Sequence, residues 1–136
     1  MHISNISYNS LMGVAKKTEN EPNFPLQEEF FENFTSVHTR DNYRNDLLKF
    51  FEFLVESFPK IKNLKTVERK QIIAYRNFLS ETGGRDAGPC APKTVARKLA
   101  CLSSYFDFLV ESGKRDFNPV KSVKRPREKS LNPPRP

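Results

Sequence analysis

The sequence predicts an all-α protein, a bundle of four helices. Three observations carry this expectation. Apolar residues recur at spacings of three and four along four separate segments. No segment reads as a convincing strand. The connections between segments are short, apart from one glycine-rich loop, which is the layout of a small helical bundle.

Residues 1–22 are polar and lack periodicity, so they are expected to form a flexible N-terminal arm. A short amphipathic helix is expected at 26–34, with Leu26, Phe30, Phe31 and Phe34 apolar. Ser36 is a good N-cap for a second, longer helix, because its hydroxyl can accept from a free backbone N–H. Tyr43, Leu47, Phe50, Phe51, Leu54, Val55 and Phe58 form its apolar stripe, and Pro59 ends it. Asn42, Asn45 and Lys49 lie on its outer face, while Arg40 and Arg44 flank the stripe near its start. The third helix is expected at 67–81, capped by Thr66 and stopped by Gly83 and Gly84. Ile72, Ile73, Tyr75, Phe78 and Leu79 are its apolar positions.

The loop "GGRDAGPCAP" leads into the fourth helix, where Pro92 suits the first helical position. That helix carries two rows. Val95, Leu99, Leu102, Phe106, Leu109 and Val110 make a broad apolar stripe, and Thr94, Arg97, Cys101, Ser104 and Phe108 make a second row. A surface helix needs only one apolar face. This helix is therefore expected at the centre of the bundle, with a second face kept for another partner. After Gly113 the chain is rich in Pro, Lys and Arg and is expected to bury no core. The resulting plan is an arm at 1–22, a helical domain at 23–117 and a basic linker at 118–136.

A chain of 136 residues is long enough for one domain with a real core. No apolar run reaches the roughly 18 residues of a spanning helix, and the N-terminus lacks the apolar segment of a secretory signal. Tryptophan is absent and there are 12 phenylalanines, so Phe is expected to fill the core. The net charge of +7 favours a polyanionic partner, and its distribution is one-sided. Glu19, Glu21, Glu28, Glu29 and Glu32 cluster early. Lys114, Arg115, Lys121, Lys124, Arg125, Arg127, Lys129 and Arg135 cluster late, against only Asp116 and Glu128. Cys90 and Cys101 form neither a disulfide framework nor a zinc-site spacing, and they read as free thiols in a reducing cytoplasm.

The residues of bond-making chemistry are missing from the pattern. There is no phosphate-binding glycine loop and no dinucleotide fingerprint. His2 and His38 lack a nucleophile or metal partner, and no cofactor or metal is expected. What remains is a basic surface. Lys93, Thr94, Arg97 and Lys98 crowd the first turns of the fourth helix, where the helix dipole prefers anions. A phosphate there satisfies both the cations and the free backbone N–H groups. The small Cys101 and Ser104 on the same helix would let a DNA backbone come close.

These segments resemble the tyrosine recombinase family, which includes phage integrases and Xer-type enzymes. "SVHT" at 36–39, followed by Tyr43, Asp46, Leu47, Phe50, Phe53 and Leu54, is similar to the family's S-x-x-T…Y…DL…F…FL helix. "TVARKLACL" at 94–102, leading to Tyr105, Phe106, Phe108, Leu109 and Gly113, resembles its T-x-x-R-x-L-A-x-L…F…FL…G helix. "NPV" at 118–120 and "KRP" at 124–126 resemble its Asn-Pro motif and basic linker. The order and spacing of all three cover about residues 26–130.

The resemblance implies a SAM-like core-binding domain that forms half of a clamp on double-stranded DNA. It implies DNA contacts from Thr39, Arg40, Arg44, Lys93, Thr94, Arg97 and Lys98, with Lys124, Arg125 and Arg127 tracking phosphates. Ser103 stands where the family often has Arg, and Ala91 where a Ser cap is common. The family's catalytic Arg and His residues and its tyrosine nucleophile have no counterpart in the sequence. The chain alone is therefore expected to bind without cutting, as a monomer, whereas an intact recombinase would exchange strands as a tetramer. The alternative is a helical protein-interaction module anchored by Phe53 and Phe108, which lie off the main stripes. Attachment to a membrane surface by the basic tail is disfavoured, because the tail lacks an apolar face.

Overall fold

The computed structural model describes residues 21–126. The expected arm at 1–22 falls almost wholly outside these residues, as do Arg127 and the rest of the linker. Within them are four α-helices: α1 (Glu28–Glu32), α2 (Val37–Ser57), α3 (Arg69–Glu81) and α4 (Pro92–Glu111). Two 3-10 turns, Leu64–Thr66 and Arg85–Ala87, lie in the connections, and there is no strand among the described residues. The all-α expectation holds, but α4 does not hold the centre alone: α4 packs against both α2 and α3, while α2 packs against α1, α3 and α4.

The helix ends follow local chemistry. Ser36 Oγ accepts from the Thr39 N–H at 3.2 Å and starts α2. α4 begins at Pro92 without a side-chain cap from Ala91. Gly113, at φ 75°, closes α4. Its N–H donates to Val110 O at 3.0 Å and the Lys114 N–H donates to Leu109 O at 2.8 Å, which satisfies two late carbonyls. The start of α3 differs from expectation. Thr66 belongs to the first 3-10 turn, which Asn63 caps through Lys65 N–H. Glu68 caps α3 instead, in a reciprocal pair with Gln71, whose Oε1 accepts from Glu68 N–H at 2.8 Å.

The core is largely aromatic, and burying these rings is the main stabilising contribution. Phe50, Phe51, Phe53 and Leu54 from α2 meet Ile72, Tyr75 and Leu79 from α3 and Leu99, Leu102, Tyr105 and Phe106 from α4. Tyr75 sits 5.0 Å from both Phe50 and Phe53. Phe24 and Leu26, ahead of α1, also reach the core. Tyr105 was absent from the apolar stripe of α4, yet it is fully buried. Its hydroxyl accepts from Gln27 N–H at 3.0 Å and so ties the entry segment to α4.

The second row of α4 divides. Cys101 is buried, with its thiol 3.8 Å from Tyr43 O. Phe108 is half-buried, 5.7 Å from the Phe30 ring of α1. Only Arg97 and Ser104 are exposed, and Thr94 is half-buried. Phe53, the other expected interaction anchor, is a core residue between Phe58, Tyr75 and Phe78.

The sequence after α4 needs correction. Residues from 118 were expected to form an extended linker, but Val120 and Val123 are buried in the core. The packed body therefore runs to Val123, and the exposed basic segment starts at Lys124.

Candidate nucleic-acid interface

The site is organised by a residue that the basic pattern did not single out. Asp46 lies on the buried side of α2, with its side chain only 5% exposed. A carboxylate in that position requires partners, because desolvation of an unpaired charge is costly. α4 supplies two. Arg97 places one guanidinium nitrogen 2.6 Å from Asp46 Oδ2, and Lys98 places its ammonium 2.9 Å from Oδ1. The two cations differ in exposure: the Lys98 side chain is 8% exposed and that of Arg97 48%. One edge of the Arg97 guanidinium is thus fixed by Asp46 while the remainder faces solvent.

Lys93 and Thr94 lie one turn before Arg97 on the same helix face, Lys93 exposed and Thr94 half-buried. The first-turn N–H groups of α4 lack intrahelical acceptors. Backbone donors, a hydroxyl and two exposed cations therefore converge where an anion is favoured by both the charges and the helix dipole.

The start of α2 holds Thr39, Arg40 and Arg44. Thr39 is half-buried, and its N–H is engaged in the cap. Arg40 Nε donates to Phe34 O at 2.6 Å. Arg44 pairs with Glu28 at 2.7 Å and lies over the Phe31 ring, 4.3 Å from its centroid. Both arginines are thus tied to α1 and its connection to α2. At the other end, Lys124 and Arg125 are exposed, and Lys124 O accepts from Arg76 at 3.1 Å. Arg127 lies outside the described residues.

One expected contact residue requires revision. Lys98 was grouped with its basic neighbours, but its buried ammonium is held by Asp46. It shares the Asp46 carboxylate with Arg97 and offers no surface charge. Asp46 and Arg76 were missing from the expected set. The signal for Asp46 was its position, three residues after Tyr43 and four before Phe50, on the apolar stripe of α2. Lys98 sits on the α4 stripe in the same way, between Val95 and Leu102.

Burial pushes the Cys101 thiol up, and Asp46 adds to this while Arg97 and Lys98 oppose it. Burial likewise raises the Tyr43 and Tyr75 phenols. The Tyr105 phenol is pushed up to about 12, mainly by burial, despite the Gln27 N–H bond. Among the described residues, no group of His, Cys, Asp and Glu side chains could hold a metal ion. No described helix is long and apolar enough to cross a membrane.

Comparison with known proteins agrees with this architecture. The family model of the phage integrase N-terminal SAM-like domain matches residues 28–113. The chain is 35% identical over 98 residues to the tyrosine recombinase XerC of Syntrophus aciditrophicus, covering 72% of this chain and 31% of that protein. It is 37% identical over 94 residues to XerC of Chlorobaculum parvum, with 68% and 27% covered. It is 27% identical over 93 residues to the tyrosine recombinase XerD of Listeria monocytogenes, with 68% and 29% covered. The chain spans about three-tenths of the length of these curated relatives. No solved structure gives a significant match. The matched span begins at the first residue of α1 and ends at the glycine that closes α4, and on this basis the chain belongs to the phage integrase N-terminal SAM-like domain family.

Proposed function

We propose that this chain is the DNA-binding, core-binding domain of a tyrosine site-specific recombinase, and that it grips one half-site of duplex DNA without cleaving it. The observation that carries this reading is the half-exposed Arg97, seated by the buried Asp46 beside Lys93 and Thr94 at the start of α4. Phosphate contacts supply the affinity, from Lys93, Thr94 and Arg97 on one side and from Lys124, Arg125 and Arg127 on the other. Thr39, Arg40 and Arg44 join them at the start of α2, beside α1. Bond chemistry belongs to a separate catalytic domain of the recombinase. In this reading the isolated chain is a cytoplasmic monomer, and the intact recombinase assembles as a tetramer on DNA in integration or related recombination.

Fluorescence anisotropy with a labelled mixed-sequence duplex over a salt series tests the proposal. Binding should weaken steeply with salt, with a slope of about 0.9 for each phosphate neutralised. Arg97→Gln and the pair Lys124→Ala with Arg125→Ala should each lower both affinity and slope. Absence of salt-sensitive binding at low ionic strength refutes it.

A further inference from the structure

The segment from Asn118 to Lys124 is fastened to two helices. The Asn118 amide nitrogen donates to Ser103 O at 2.8 Å and to Asp107 Oδ1 at 3.0 Å, and lies 3.3 Å from Ser103 Oγ, all on the outer side of α4. Its amide oxygen accepts from Val120 N–H at 2.9 Å, which turns the chain back on itself. Lys121 reaches the other Asp107 oxygen at 3.3 Å. Val120 and Val123 then enter the core, joined by a Val123 N–H bond to Val120 O at 3.0 Å. At the far end Arg76 of α3 donates to Lys124 O at 3.1 Å, and its other guanidinium nitrogens are steadied by Asn77. Asn118 and Lys121 thus join the exit segment to α4, and Arg76 joins it to α3.

We infer that Asn118 and Arg76 form a clasp that sets the position from which Lys124 and Arg125 reach the DNA backbone. Asn118 is a positioning residue for those two contacts, and this inference rests on the DNA-binding reading above. The physical argument is preorganisation. Two cations on a free tail must be ordered when they meet phosphate, whereas cations at the end of a fastened segment are already placed. The polar side of the clasp is remote from Arg97: Asn118 bonds to α4 at Ser103 and Asp107, about two to three turns further along the helix. Loosening it should leave the Asp46–Arg97 arrangement in place.

A double-mutant cycle tests this by anisotropy on a mixed-sequence duplex, with Asn118→Ala measured in the native background and in one carrying Lys124→Ala and Arg125→Ala. The clasp predicts at least a fivefold loss of affinity in the native background and less than a twofold loss when both cations are already removed. An equal loss in both backgrounds, or none in the native one, overturns it. Should Asn118→Ala fail to fold, Asp107→Ala is run in the same cycle. The Asp107 side chain is 43% exposed, and the effect of its lost charge cancels between the two backgrounds. Limited trypsin digestion reads the clasp without DNA. Cleavage after Lys121 and Lys124 should be at least severalfold faster in the variant, and unchanged rates overturn the inference. If the native chain does not bind DNA at all, the functional proposal fails, while the digestion still decides the clasp.

Discussion

At the scale of single residues, Asp46 is the position on which both stability and the candidate interface depend. Removing a buried carboxylate strands the Lys98 ammonium in a site with almost no access to water. Breaking one side of such a pair costs about 3–5 kcal/mol. Asp46→Ala is therefore expected to lower the urea-unfolding free energy by about that amount, with the loss arising chiefly from Lys98, since Arg97 is half-exposed. Adding Lys98→Met to Asp46→Ala should recover most of the stability, because an apolar side chain of similar volume needs no counter-charge. DNA affinity should remain low in the double variant, because Arg97 has still lost its anchor. A fall in stability that Lys98→Met does not repair would contradict this account. The sequence showed Arg97, Lys93 and Thr94 as a basic turn, because charge and helical spacing are local properties. It did not separate Lys98 from them, although the two neighbours point about 100° apart on a helix. That rotation takes one cation to solvent and the other to the core.

At the scale of elements, the helices were legible where one residue decides an end. Ser36, Pro59, Pro92 and Gly113 each act through their own side chain or backbone freedom. The start of α3 was less legible, because two competing local motifs meet there. Asn63 draws Thr66 into a 3-10 turn, and the Glu68–Gln71 pair then opens the helix two residues later than expected. The ends also differ in what they tolerate. Gly113 has a left-handed backbone and open space around it, so Gly113→Ala should cost about 1–2 kcal/mol, from conformation alone. A Cβ at Gly83 would come within 2.8 Å of the Leu79 Cα. Gly83→Ala must therefore displace backbone and should cost about 1–3 kcal/mol. Thermal unfolding of the two variants side by side should rank Gly83→Ala as the more damaging. In the same loop Asp86 and Ala87 have φ of 56° and 60°, so Ala87→Gly should be neutral or slightly stabilising.

At the scale of the whole molecule, the buried thiol and phenols make the fold sensitive to alkali. The Cys101 and Tyr75 groups are raised by burial from usual values of 9.0 and 10.0, and Tyr105 is raised to about 12. As pH climbs past 9 the unfolded chain releases protons that the folded chain still holds, so rising pH draws the equilibrium toward unfolding. The contribution is fully present below pH 9 and is lost progressively above it. Urea midpoints should be level with respect to these groups up to about pH 9 and fall between pH 9 and 12. Cys101→Ser together with Tyr105→Phe should flatten that fall.

The bundle as a whole was legible because four amphipathic segments admit few other packings. The extent of the body was not, because Val120 and Val123 sit among Pro, Lys and Arg, and composition averages them away. The aromatic core also has an optical consequence. With no tryptophan and only four tyrosines, the native chain emits no indole light at all. A single indole introduced by Phe117→Trp, at an exposed ring next to Asn118, would be the only one in the molecule. Its emission would report the release of the exit segment without any label attached to the DNA.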